Sequence, residues 1–198
     1  MKLASTHGAR VEPALEPLLA VVNGGCCDED PLSGPAAVRR WAKAAGWTPP
    51  RGAASGLDEL RRFRDTLREI VEARIAGRPI RDDALGSLNA ALSRDAGART
   101  VVAGADGSYA VEERYRVETL ADLRLPLAHA AVRLLVDADP SRLRRCAGCR
   151  CAYYDTSKNR TRTWCDMRRC GNRAKAAAYY RRSRGDVAEG PARGTSMR

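Results

Sequence analysis

Apolar positions recur along most of this chain at three- and four-residue intervals, the mark of helices with one buried face. After a loose terminus over residues 1–12, Leu15, Leu18, Leu19 and Val22 form the first stripe, and Asn23-Gly24-Gly25 stops it. Residues 28–31 read as a loop. Ser33 is placed to cap a second helix, with Pro35 in its first turn and Val38, Trp41, Ala42 and Ala45 on its inner face. A linker is expected over residues 49–55. The strongest pattern spans 57–76, where Leu57, Leu60, Phe63, Leu67, Ile70, Val71 and Arg74 trace one face and Gly77 ends the run. Asp82 or Asp83 is expected to cap a fourth helix that turns Leu85, Leu88, Ala91 and Leu92 inward. Residues 99–103 and 109–117 alternate as two strands about an Asp106-Gly107 turn. The pattern is helical again over 119–138, and Pro126 is expected to kink that helix or divide it.

These elements predict a mainly α (α+β) protein. Residues 12–140 make a helical bundle with a small β-hairpin, long enough for a core of its own. A C-terminal module follows at 141–185, and residues 186–198, rich in Gly, Ala and Ser, read as a disordered tail. No apolar run approaches the ~20 residues a membrane span needs, and none has the frame of a signal peptide, so a soluble, cytoplasmic protein with no membrane partner is expected. Only two histidines occur, His7 and His129, which excludes a His-rich metal site or a two-histidine acid/base pair. His129 is expected to be a partly buried polar residue, and no nucleophile–base pair is visible, so an enzyme is not expected.

Charge changes the picture by where it sits. The net charge is +11, and all but four of the 35 basic residues are arginine, a bias that genome composition alone can produce. Distribution is the better test. Residues 141–185 hold 14 Lys/Arg against Asp155 and Asp166, a net of +12, while the remainder of the chain sums to −1. The whole positive charge lies in one segment.

Five of the seven cysteines fall in that same segment. The spacing Cys146-x2-Cys149 with Cys165-x4-Cys170 is that of a closed four-thiolate zinc site, a structural rather than catalytic arrangement. A disulfide framework is not expected without a secretory signal, and a redox C-x-x-C leaves the second pair unexplained. Between the pairs, residues 152–154 read as a strand, 156–159 as a turn and 161–164 as the returning strand. Residues 172–182 read as a helix with Asn172 as cap and Ala174, Ala177 and Ala178 inward. Trp164 and at least two of Tyr153, Tyr154, Tyr179 and Tyr180 are expected to fill the small core. A module with so little apolar content needs its metal to fold.

The segment 145–182 resembles the CGNR-type zinc finger, with the tetrad Cys170-Gly171-Asn172-Arg173, Tyr153-x-Asp155-x-Ser157, Trp164-Cys165-x-Met167 and Lys175. More diffusely, residues 14–140 are similar to the ABATE domain that precedes this finger in bacterial proteins. Shared features are the Leu-rich helix ending in Val22-Asn23, the Trp41 helix, the Leu60-Arg61 start of the next and Leu88-Asn89. The resemblance implies a stress-responsive transcription regulator. Cys151 departs from it by replacing an aromatic with a fifth thiol that could compete for metal or oxidise, Gly24 by replacing a threonine, and the Cys26-Cys27 pair is unusual.

A zinc-dependent DNA-binding regulator is therefore the first expectation, with one structural Zn2+. Arg160, Arg162, Arg168, Arg169, Arg173, Lys175, Arg181 and Arg182 are the candidate nucleic-acid contacts. The helical domain would sense a small-molecule effector or form a homodimer. A zinc-stapled RNA or ribosome binder and a protein-interaction adaptor are the alternatives, and an arginine-rich solvated surface is the plainest reading of the charge. Cys26-Cys27 as a thiol sensor competes with inert packing.

Overall fold

In a computed structural model describing residues 11–50, 55–93, 97–103 and 109–184, the run at 57–76 becomes the central helix α3 (Leu57–Ala76). Around it lie α1 (Val11–Asn23), α2 (Pro35–Ala44), α4 (Asp82–Leu92) and α5 (Arg124–Val136). Strands β1 (Gly97–Ala103) and β2 (Tyr109–Tyr115) form an antiparallel hairpin with Gly97 opposite Tyr115. The Asp106-Gly107 turn, the terminus over 1–10, most of the 49–55 linker and the tail over 186–198 fall outside the described residues. Strands β3 (Leu143–Arg145) and β4 (Ala152–Tyr154) make a second hairpin, and α6 (Asn172–Ser183) ends the fold. The mainly α reading holds.

Burial explains the arrangement. Leu15, Leu18, Leu60, Leu67, Ile70, Leu120, Leu127 and Leu134 are fully buried in one cluster, each worth ~1.5–3 kcal/mol relative to exposure. Leu143, Ala152 and Tyr154 belong to that same cluster, so β3 and β4 pack on α3 and α1 and share the core of the helical bundle. His129 is half-buried and bonded to the Tyr115 hydroxyl at 2.9 Å, in line with its expected role.

Several local expectations need correction. Gly34, not Ser33, occupies the N-cap of α2, without a side-chain bond. Pro126 neither kinks nor divides a helix, because it sits in the first turn of α5, where its missing N–H has no partner to lose. The break instead precedes Arg124: the Asp122 carboxylate accepts from the Thr119 N–H (2.8 Å) and hydroxyl (3.0 Å), closing a 3-10 turn over Leu120–Leu123. Residues 161–164 form no strand; β4 pairs backward with β3. Helix α6 has no buried residue, so Ala174, Ala177 and Ala178 do not form a packed inner face, and Asn172 is not its cap.

One loop positions the site. Residues 24–34 leave α1 through Gly24 and Gly25, both at positive φ, and lie along α3. Arg68 donates to Val22 O (3.0 Å), Arg64 pairs with Asp30 (2.8 Å) and Arg61 donates to Leu32 O (3.0 Å). Burial alone would raise the Asp30 pKa, but the Leu32 N–H and Arg64 outweigh it and hold the carboxylate below its ordinary range. The loop is thereby fixed with Cys26, Cys27 and Asp28 facing the C-terminal module.

Candidate metal centre and basic surface

The sulfur cluster is built on two tight turns. In the first, Cys146 N donates to Cys151 O and Arg150 N to Cys146 O, both 2.9 Å, so that β3 returns directly as β4. Gly148 lies against Cys170 and Trp164, where even a Cβ would find ordinary contact at 3.4 Å. In the second turn, Asp166 accepts from Arg168 N (2.6 Å) and Arg169 N (3.3 Å), capping the wide turn Met167–Gly171. A Cβ on Gly171 would meet the flexible end of exposed Met167 and lie 3.3 Å from Trp164 Cδ1, a tight fit beside Cys170. Half-buried Trp164 packs between the turns, and Tyr153 is buried beside it.

The turns meet sulfur to sulfur. Cys149 Sγ lies 3.5 Å from Cys165 Sγ, which is 3.8 Å from Cys170 Sγ. A tetrahedral ZnS4 unit with Zn–S near 2.3 Å has edges of ~3.8 Å, which these two spacings approach; the fourth sulfur grouped within 4.8 Å of all three is that of Cys27 rather than the expected Cys146. Cys146 packs against these three, and Gly148 N donates to its sulfur at 3.4 Å. Burial raises the Cys146 pKa, but the N–H groups of Cys165, Cys149 and Gly148 prevail and bring it to about 6. Burial and then crowding by neighbouring sulfurs push the Cys165 thiol up, and push Cys170 up to about 12. A bound cation removes that crowding penalty by taking the sulfurs as thiolates.

Of the other three cysteines, the sequence marks Cys151 as a thiol able to compete for metal or oxidise and Cys26-Cys27 as a candidate sensor pair, but not that they meet. Cys27, Cys149, Cys165 and Cys170 have sulfurs all within 4.8 Å of one another, and so do Cys26, Cys27, Cys149 and Cys151. Cys26 and Cys151 form a single disulfide across 125 residues, outside any disulfide framework and in keeping with Cys151 as an oxidisable thiol. Nothing local in the sequence signals this pairing; loop 24–34 creates it by lying along α3.

Asp155 is the polar hub beneath the metal turns and is fully buried. Its carboxylate accepts from Ser157 N (2.9 Å), Ser157 Oγ (2.6 Å) and Arg162 N (3.1 Å), with Arg144 at 3.6 Å. Burial would raise its pKa, yet these donors hold it below the ordinary carboxylate value.

The candidate contact residues divide into two groups. Arg162 donates to Trp164 O (2.8 Å) and Cys165 O and lies over the Tyr153 ring, bracing the module from within. Arg169 binds Cys27 O and Asp28, and Arg160 pairs with Asp139 at 3.0 Å. Arg168, Arg173, Lys175, Arg181 and Arg182 are exposed and make no ion pair among the described residues. Tyr153 and Tyr154 are buried, whereas Tyr179 and Tyr180 stand 65% and 64% exposed on α6.

No described helix is long and apolar enough to cross a membrane. No curated protein matches the chain. Residues 142–183 match the family model of the CGNR zinc finger, and the cysteine cluster is placed to hold its one structural zinc. Residues 5–138 match the ABATE model, described as "Putative stress-induced transcription regulator". Neither is an enzyme family. With the ABATE model matching residues 5–138 of its 198, the chain belongs to the ABATE family, and it carries a CGNR zinc finger at residues 142–183.

Proposed function

We propose that this protein is a DNA-binding transcription regulator whose finger grips duplex phosphate through α6, with zinc on Cys146, Cys149, Cys165 and Cys170. The observation that carries the reading is α6 itself. It buries no residue, and Arg173, Lys175, Arg181 and Arg182 stand exposed on it, one residue beyond a metal ligand. A helix that buries none of its residues is held by little packing of its own, and a cationic one of this kind fits a major groove. The metal turn supplies rigidity, so phosphate contacts are made without ordering a flexible arm.

On this reading Arg168, Arg173, Lys175, Arg181 and Arg182 make the contacts, and Arg160, Arg162 and Arg169 hold the frame. Residues 12–140 act as sensor or dimerisation module, 141–185 as the finger and 186–198 as tail, in the cytoplasm. The exposed Tyr179–Tyr180 pair, with ring centroids 5.9 Å apart, favours a second reading as a single-strand or RNA binder through base stacking.

Fluorescence anisotropy with duplex and single-stranded oligonucleotides at two salt concentrations tests both readings. Affinity should fall steeply with salt, and Arg173→Ala/Arg181→Ala/Arg182→Ala should lower the salt slope by about one for each arginine removed while leaving the fold intact. Salt-independent binding, or an unchanged slope in the triple variant, refutes the interface; preference for single strands moves the reading to the second.

A further inference from the structure

We propose that Cys26, Cys27 and Cys151, with Cys149 as shared ligand, form a second thiolate metal site beside the finger's zinc, and that the Cys26–Cys151 disulfide is its oxidised, metal-free state. The inference rests on the reading of Cys146, Cys149, Cys165 and Cys170 as the first site. Geometry points to it directly: the four sulfurs of Cys26, Cys27, Cys149 and Cys151 lie within 4.8 Å of one another. Cys27 Sγ is 3.7 Å from Cys151 Sγ, close to the edge of a tetrathiolate tetrahedron.

The count also closes. Two four-sulfur sites that share one vertex use seven sulfurs, and the chain has seven cysteines. Cys27 also falls within 4.8 Å of Cys165 and Cys170, so the two sulfur groups meet at both Cys27 and Cys149.

The surroundings suit the site. Loop 24–34 is held on α3 by Arg61, Arg64 and Arg68, and Arg169 binds Cys27 O and Asp28 from the finger side. The ligands are thus fixed by contacts independent of the sulfurs. Seven thiolates around two divalent ions leave a negative excess, and the adjoining cavity of about 220 Å³ is lined by Arg68, Arg145 and Arg150 against one acid, Glu72. Soft sulfur donors without histidine or carboxylate select zinc or another thiophilic divalent ion.

The redox step balances. A dithiol reductant gives two electrons and two protons to the Cys26–Cys151 bond, yielding two thiols and its own disulfide. The incoming divalent ion then displaces the thiol protons to water. In reverse, a low-molecular-weight disulfide accepts two electrons from the two thiolates, leaves as two thiolates, and the Cys26–Cys151 bond closes as the ion departs.

Native mass spectrometry of the full chain, purified under reductant and exchanged from excess zinc, counts ions and disulfides together. Reduced wild type should hold two zinc ions, and one after treatment with a low-molecular-weight disulfide. Cys26→Ser/Cys151→Ser should hold one in either state, with circular dichroism confirming its fold. One ion in the reduced wild type, or two in the double variant, overturns the second site and leaves the first standing. No ion in any form overturns the reading of the first site, and this one with it.

Discussion

Replacing Asp155 by asparagine tests whether the finger is held from beneath by a buried charge. The side chain keeps its shape, and the asparagine oxygen can still accept from Ser157 N and Ser157 Oγ. The second oxygen, which accepts from Arg162 N at 3.1 Å and faces Arg144 at 3.6 Å, becomes an NH2 pointed at donors. Losing one bond to a charged acceptor costs about 1.5–3 kcal/mol. The ion pair with Arg144, 44% exposed, adds less than about 1 kcal/mol after solvent screening. A loss of about 2–4 kcal/mol follows, which on a urea slope of about 2 kcal/mol/M shifts the midpoint by about 1–2 M. The assay is urea unfolding of the zinc-loaded chain followed by tryptophan fluorescence. The pH dependence has a definite sign. Because the folded carboxyl titrates below its unfolded value of about 3.9, its contribution is complete above that pH and fades as pH falls through the depressed native value. The gap between wild type and Asp155→Asn should therefore narrow below about pH 4, zinc loss being common to both. A midpoint within about 0.2 M of wild type at pH 7 would refute the hub.

Two further substitutions probe how the halves are joined and how the bundle closes. Asn23 Nδ2 donates to Ala152 O (2.8 Å) and Asn23 Oδ1 accepts from Ala152 N (2.7 Å), so the side chain completes the edge of β4; Asn23→Ala should cost about 2–4 kcal/mol in urea unfolding, and a neutral result would show that water replaces it. Gly56 has φ +87°, and a Cβ there would stand 2.5 Å from Ala121 Cβ and 2.7 Å from its backbone N; Gly56→Ala should lower thermal stability by about 2–5 kcal/mol, and an unchanged Tm would disprove the close approach.

Much of this protein was legible as local pattern. The bounds of α3 follow from its apolar stripe and Gly77, and the basic segment and its cysteine spacing stand in the sequence because turns and tetrads are local. What the sequence concealed is non-local. Arg162 reads like any other arginine of the basic run, yet the fold turns it inward onto Trp164 O and Cys165 O while leaving Arg173 outside. Leu143, Ala152 and Tyr154 look like a module's own small core, but they join the bundle's core because β3 and β4 lie on α3 and α1. Cys26, Cys27 and Cys151 carry no shared motif, and only the path of loop 24–34 along α3 brings them together across 125 residues. Spacing along a chain fixes which groups can meet within a turn or two. Which of them meet across a domain is decided by packing, since the same buried faces that hold the helices also set where each connecting loop must run.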